Sequence, residues 1–321
     1  TLSSSSAASD VYKRQVDYNR IRFHMKSNSP FIDSFSNGQP VDLYHPAPGD
    51  FASDSPYRDQ FKTTTRQMSV FAENRLQLSE RWSLVSGVRR DYVHIDRDDL
   101  KDDSRSDKTL IGNNWKAGLV FAVTPDTSLY GQYSTSTDGV GGLISLSKSQ
   151  QQFDLSSARQ TEIGLKQMFW DQRGEWTLAA YHIVKKKLLT DVPGDPDLKQ
   201  QVGQQSSNGL EASLDLQLPR AWQLQANAAI VRARYDDFQQ DVDGVQVSRD
   251  GKRPVDVPRR TANLWLSKAL DDDLRAGAGV RYVDARYADM ANRNQLPSYT
   301  VVDAALSVSY THLTLPTKRI V

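Results

Sequence analysis

The 321 residues carry 40 Lys and Arg against 39 Asp and Glu, a formal net charge of +1, so no bulk electrostatic pull toward nucleic acid is implied. Mean hydropathy is −0.60, and no apolar run approaches the roughly 18 residues of a membrane helix, which argues against a helical membrane protein but not against a barrel, whose strands need apolar residues only at every second position. Cysteine is absent, which removes disulfide frameworks and thiolate chemistry.

In chain order, residues 1–15 (TLSSSSAASDVYKRQ) show neither strand alternation nor helix caps, and residues 311–321 (THLTLPTKRIV) are similar. Both resemble vector- or adapter-derived tails and are set apart from the fold, which is expected over 16–310. Residues 16–26 alternate loosely as a strand, and 27–56, rich in Pro, Gly, Ser and Asp, read as a long loop. Residues 61–78 are extended, with Met68, Val70 and Ala72 on one face. A tight turn at Ser79, Glu80 and Arg81 leads to a strand with Trp82, Leu84, Val88 and Tyr92 on one face and Ser83, Gly87, Arg89 and Asp91 on the other.

Residues 96–107 (DRDDLKDDSRSD) read as a charged loop. Trp115, Ala117, Leu119, Phe121 and Val123 then form an apolar strand face, Thr124, Pro125 and Asp126 a turn, and 129–135 the next strand. A Gly/Ser/Gln-rich loop over 136–156 precedes strands at 161–170 and 176–186, joined by a turn at 171–174. Residues 188–201, with two prolines, read as a loop. Leu210, Ala212, Leu214, Leu216 and Leu218 alternate with Glu211, Ser213, Asp215 and Gln217. After a break at Pro219 and Arg220, Trp222, Leu224, Ala226, Ala228 and Ile230 alternate with Gln223, Gln225 and Asn227. This is a β-hairpin by period. Residues 236–257 read as a polar loop, 261–270 and 274–284 as strands around Asp271, Asp272 and Asp273, 286–296 as a loop, and 298–310 as the last strand.

Short turns and long loops alternate strictly along about a dozen strands of roughly 10 to 16 residues, longer than the soluble mode of about 5 or 6. One-sided long loops, dyad alternation, and Trp and Tyr near strand ends (Trp82, Trp115, Trp176, Trp222, Tyr92, Tyr181, Tyr282) are the pattern of an outer-membrane barrel. A soluble all-β repeat protein or adhesin is the rival architecture, and sandwiches accommodate such strands poorly.

Six stretches carry a family resemblance: LQLSERWSLVSGVRRD (76–91), TSLYGQYSTS (127–136), TEIGLKQMFWDQRGEWTLAAYHIVKKKLLT (161–190), VGQQSSNGLEASL (202–214), GKRPVDVPRRTANLW (251–265) and LPSYTVVDAAL (296–306). In this order and spacing the chain resembles the C-terminal barrel part of TonB-dependent ferric-siderophore receptors. The resemblance implies an all-β, antiparallel transmembrane β-barrel, here about 12 of the family's 22 strands, without the family's plug domain, TonB box or closing strands. It implies energised import of a ferric siderophore across the outer membrane of a Gram-negative bacterium, with outer-membrane lipid and, through the plug, the TonB–ExbB–ExbD complex as partners. A passive porin, or a receptor for another substrate such as haem or a vitamin, is the alternative. An outer-membrane barrel enzyme would need a nucleophile with a His partner, and no such constellation stands out. No enzyme activity, nucleic acid or resident cofactor is expected.

Iron in a siderophore is wrapped by the ligand's own oxygens, so a receptor supplies aromatic faces, hydrogen bonds and cations. The candidates are Tyr133, Phe153, Arg234, Tyr235, Arg286 and Tyr287, weighed against girdle or loop-tip roles. The Asp run from Asp96 to Asp107 is interleaved with Arg97, Lys101 and Arg105 and lacks the glycine and terminal Glu of a calcium loop. Asp241-Val242-Asp243-Gly244 reads as a turn. The five histidines are scattered; only His94 and Asp96 approach ligand spacing. Glu162, Lys166, Glu211, Arg89 and Asp91 fall at inward polar positions, either a gate or plug contact or, preferred here, a cross-strand charge ladder.

Overall fold

The computed structural model describes residues 10–27, 45, 57–138, 153–192 and 195–308. Their strands are β1 (Asp10–Ser27), β2 (Arg58–Gln77), β3 (Trp82–Asp99), β4 (Ser104–Thr124), β5 (Thr127–Asp138), β6 (Ser156–Phe169), β7 (Gly174–Val192), β8 (Asp195–Leu218) and β9 (Trp222–Asp237). They continue with β10 (Gln239–Val242), β11 (Val245–Ser248), β12 (Arg260–Ala269), β13 (Leu274–Val283), β14 (Arg286–Tyr287), β15 (Gln295–Leu296) and β16 (Tyr299–Val308). Twelve form one sheet in the order β1-β2-β3-β4-β5-β6-β7-β8-β9-β12-β13-β16, each pair antiparallel; β10–β11 and β14–β15 are separate two-stranded ribbons. Sequential neighbours pair throughout, as expected of an up-and-down barrel wall. Strand pairing reaches Asp10, within the stretch 1–15 set apart on sequence.

The register sorts the side chains. Val88 faces Trp115, Leu84 faces Leu119 and Trp82 faces Phe121 across β3–β4, which places all six on one surface. The same surface carries Leu210 and Ile230 of β8–β9 and Leu264 of β12. These apolar groups stay open to the surroundings: Val302 is 73%, Leu306 68% and Val88 63% exposed. In water such a continuous apolar face is untenable, whereas in hydrocarbon it is the stable arrangement. Aromatic side chains bound it at both heights. Trp82 stacks on Phe121 at 4.7 Å and Phe169 meets Trp170 at 5.2 Å near the short turns, while Trp115 and Tyr133 pair at 5.1 Å toward the other end. Ten residues separate Trp82 from Tyr92 on β3, about 34 Å of strand, or about 26 Å of height at a 40° tilt. That matches the apolar band of a barrel.

The opposite, inner face is polar, and its groups satisfy one another across strands. Asn263 Nδ2 donates to Asn227 Oδ1 at 2.7 Å, Gln225 Nε2 to Asp215 Oδ2 at 2.8 Å, and Lys166 pairs with Glu175 at 2.8 Å. The expected ladder of inward polar residues is therefore present. Toward the long-connection end this face also holds the buried apolar cluster Val93, Ile95, Leu110 and Leu155.

Four expectations need correction. Residues 96–107 are mostly strand, since β3 and β4 pair as far as Asp99 with Ser104 and only four residues turn. Residues 188–201 are not a loop either; β7 and β8 pair from Leu189 with Gln201 to Val192 with Asp195, through register shifts at Lys186/Leu188, Leu188/Leu189 and Asp191/Val192. The polar stretch 236–257 contains the β10–β11 ribbon, and 286–296 contains β14–β15. In the first two cases strands extend past the apolar band and keep their hydrogen-bond ladder without any need to alternate; in the other two a short ribbon pairs within the connection. The loops expected at 27–56 and 136–156 lie largely outside the described residues.

The five connections at one end, 78–81, 125–126, 170–173, 219–221 and 270–273, are all short. At 219–221, Arg220 and Ala221 hold φ of 60° and 59°, the left-handed pair whose twist suits a tight hairpin. Ala carries a steric penalty there that Gly does not. Ala221→Gly is expected to stabilise the fold by about 1 kcal/mol, read as a higher urea midpoint at unchanged slope in detergent. A lower midpoint would mean that the turn is not strained.

Candidate functional site

On the inner wall, Asp91 of β3 is the hub of a buried network. It is 8% exposed. Ser69 Oγ donates to its Oδ1 at 2.6 Å, Arg89 Nε donates at 2.9 Å, and Asn114 Nδ2 donates to Oδ2 at 3.3 Å. Asn114 Nδ2 also reaches Thr137 Oγ1 at 3.1 Å. The network joins β2, β3, β4 and β5 through one carboxylate, and such charge-assisted bonds are the stronger ones in a fold. Beside it lies a cleft of about 750 Å³ bordered by Thr65, Arg89, Asp91, Asn114, Lys116 and Leu155.

A second device recurs twice. Tyr130 lies over Gly164, its directly paired residue, and its hydroxyl donates to Glu162 Oε1 at 2.8 Å; Gln132 and Gln160 complete that carboxylate at 3.2 and 2.7 Å. Tyr181 likewise lies over its pair Gly209, with Glu211 nearby. A Cβ on either glycine would overlap the ring. The missing side chain is what lets the aromatic ring lie flat and carry its hydroxyl to the neighbouring Glu. Glu162, inward on sequence grounds, is thus a fixed acceptor on the wall.

Above the apolar band a short strap crosses the inner face. Phe153 is buried, Lys108 Nζ donates to its carbonyl, and Leu155 joins the Val93–Leu110 cluster. Gln201 clips the strap from β8, accepting from the Asp154 amide at 2.8 Å and donating to the Asp154 carbonyl at 2.7 Å. Lys187 Nζ reaches Asp154 Oδ2 at 2.7 Å. That bond, the largest influence, holds the Asp154 carboxyl below its ordinary range despite some burial. Burial lowers the Lys108 ammonium from its usual value.

The six sequence candidates do not form one site. Tyr133 is on the outer face against Trp115, a girdle position. Phe153 is in the strap. Arg234 is exposed, donating to Asp236 Oδ1 at 2.8 Å. Burial would raise the Asp236 carboxyl, but hydrogen bonds from Ser206, Arg234 and Gln204 outweigh it and hold the group low. Tyr235 turns inward, buried, with its ring 4.4 Å from Phe238. Its backbone N–H donates to Lys252 O at 2.9 Å, and its carbonyl accepts from Gly251 N–H at 2.8 Å.

That same 251–256 segment meets Arg286 and Tyr287. Arg286 Nε donates to Asp256 and its guanidinium lies 5.3 Å from the Tyr299 ring, while Arg253 lies 5.1 Å from Tyr287. Tyr235, Arg286 and Tyr287 therefore share a loop-base cluster organised by Arg253 and Asp256, which sequence reading passed over. The strap clip was also missed, and Gln201 carries no signal that would reveal it. No group of three or more potential metal-binding side chains occurs among the described residues.

Two tests follow from this geometry. Gly164→Ala should cost about 1–3 kcal/mol by overpacking, and the penalty should largely vanish when Tyr130→Ala is present; an undiminished penalty would place the cost in the backbone. For Asp154, a folded pKa below the unfolded one gives stability that is present above about pH 4 and is lost as pH falls through the folded value. Wild type should out-melt Asp154→Asn at pH 6, with the gap closing below about pH 4. A gap independent of pH would exclude the Lys187 pairing as its cause.

The β-barrel model of the TonB dependent receptor-like family matches residues 3–317. The chain is 27% identical over 267 residues to a protein of Acinetobacter baumannii named probable TonB-dependent siderophore receptor PiuA, covering 77% of this chain and 35% of that one. It is 27% identical over 275 residues to the ferrioxamine B receptor of Salmonella typhimurium, covering 82% and 36%. The crystal structure of the siderophore receptor PiuA from A. baumannii superposes with a TM-score of 0.78 at 22% identity, over 94% of this chain and 47% of that one. The ferric-catecholate import receptor Fiu from K12 E. coli in its closed form gives 0.68 at 21%, over 94% and 46%. The chain thus spans about a third of the length of those curated relatives and superposes on about half of each solved chain. It belongs to the TonB-dependent receptor family, as part of that family's β-barrel.

Proposed function

We propose that this chain forms part of an outer-membrane receptor for TonB-energised uptake of ferric siderophores in a Gram-negative bacterium. The observation that carries the reading is the wall itself. It has an apolar outer band bounded by aromatics and short turns at one end, and it overlays about half of a solved siderophore receptor chain. The long connections at the other end, with the Arg253–Arg286–Tyr287 cluster and the strap at their base, face the exterior in this reading and meet the ligand. The protein changes no covalent bond in its cargo. It binds a preformed iron complex, and energy from the inner membrane releases it. The related siderophore receptors favour this over a passive porin.

The complete gene product, expressed in an iron-starved strain lacking its own siderophore receptors, should take up radioactive iron from at least one hydroxamate or catecholate siderophore. Uptake should stop when TonB is deleted or the proton-motive force is collapsed. Uptake that persists without TonB would establish a porin instead.

A further inference from the structure

Above the level of Tyr92, the inner face carries a row of polar groups with nothing to bond. Thr63 faces Arg97 across β2–β3, and Thr65 faces Ile95 in the next inward row. They are 3%, 8% and 6% exposed, respectively. Yet Thr63 Oγ1, Thr65 Oγ1, Arg97 Nε and Arg97 Nη1 lack a hydrogen-bond partner. Buried donors are ordinarily satisfied, and each orphan needs a reason. Here four cluster on adjacent rows of one wall.

The surroundings fix the guanidinium. It lies 3.7 Å from the Phe61 ring centroid, and Asp99 takes only Nη2, at 3.0 Å. Phe23 packs on Phe61 at 5.8 Å. Lys108, paired with Ile95 on β4, adds a second cation. Thr65 also borders the 750 Å³ cleft, which places one end of the row at its edge.

We propose that Arg97, Thr63 and Thr65 form a subsite for an oxyanion, specifically a carboxylate carried on the periphery of the incoming iron chelate. An acceptor-only anion is the chemistry that two free guanidinium nitrogens and two free hydroxyls complete. The proposal rests on the receptor reading only for the nature of the natural ligand.

The chain in detergent micelles is titrated calorimetrically with iron-free citrate and, separately, with inorganic phosphate. Saturable citrate binding is expected, weakened at least tenfold by Arg97→Gln and several-fold by Thr63→Val, and unchanged by Arg105→Gln on the outer face. Arg97→Met removes the two unsatisfied nitrogens together with the Asp99 pairing, and its melting temperature checks that the variant folds. No saturable citrate binding by folded wild type, equal binding by Thr63→Val and Arg97→Gln, or phosphate binding without citrate would each overturn the assignment. If both Arg97 variants unfold, Arg97 is structural, and citrate binding unaffected by Thr63→Val then overturns the subsite. The titration needs neither iron nor TonB. Citrate binding with failed uptake would therefore sink the receptor reading alone, and uptake without citrate binding would sink the subsite alone.

Discussion

The constraint on which everything else depends is that a backbone in hydrocarbon must find all of its hydrogen bonds within the protein. A strand cannot satisfy its own N–H and C=O groups, so it must be flanked on both sides. Among the described residues, every strand from β2 to β13 in the large sheet has two antiparallel neighbours. Once that ladder is fixed, the faces follow. Odd and even residues part, and a single-residue slip would turn Val88, Trp115 and Leu119 inward and put Arg89, Asn114 and Lys116 into the apolar band. The sequence tolerates no such slip, and this is what pins the register of a sheet with little conventional core.

The inner wall has to solve the opposite problem. It holds many polar groups at close quarters, and an unpaired one is costly wherever water is thin. Asp91 resolves this by accepting from Ser69, Arg89 and Asn114 at once, and Glu162 by accepting from Tyr130, Gln132 and Gln160. Tyr130 and Tyr181 also cover the glycines opposite them, supplying the cross-strand packing that Gly cannot. These units are local, involving two or three adjacent strands, so they stiffen the wall without a central core.

The legible part of the fold was the part inside the apolar band. There the period of two is imposed by the surroundings, and Leu210 through Leu218 and Trp222 through Ile230 announced their hairpin plainly. Beyond the band the strands continue, but water accepts either face, and the alternation disappears. That is why DRDDLKDDSRSD read as a loop although β3 and β4 stay paired through Asp99, and why the bulged β7–β8 extension looked like irregular chain. The site was less legible still. Tyr133 has the right chemistry for ligand contact, but the parity of β5 sends it outward to Trp115. Arg97 was visible only as one of the charges interrupting an acidic run. Its distinction is burial on the inner face without enough partners, a property of three-dimensional packing rather than of local pattern.

Set against the rest of the wall, that exception acquires meaning. Asp91, Glu162 and Asp236 are each served by three or more donors, and Arg66, Lys116 and Lys185 each have an acidic partner. Other unmet atoms, Asn74 Oδ1, Asn114 Oδ1 and Arg286 Nη1, are scattered, whereas Thr63, Thr65 and two nitrogens of Arg97 are unmet beside one another. Stability is best served by satisfying or deleting such groups. Their retention at the long-connection end, next to the strap and the cleft, fits a wall whose lower part is organised for rigidity and whose upper part gives up some stability to hold a ligand.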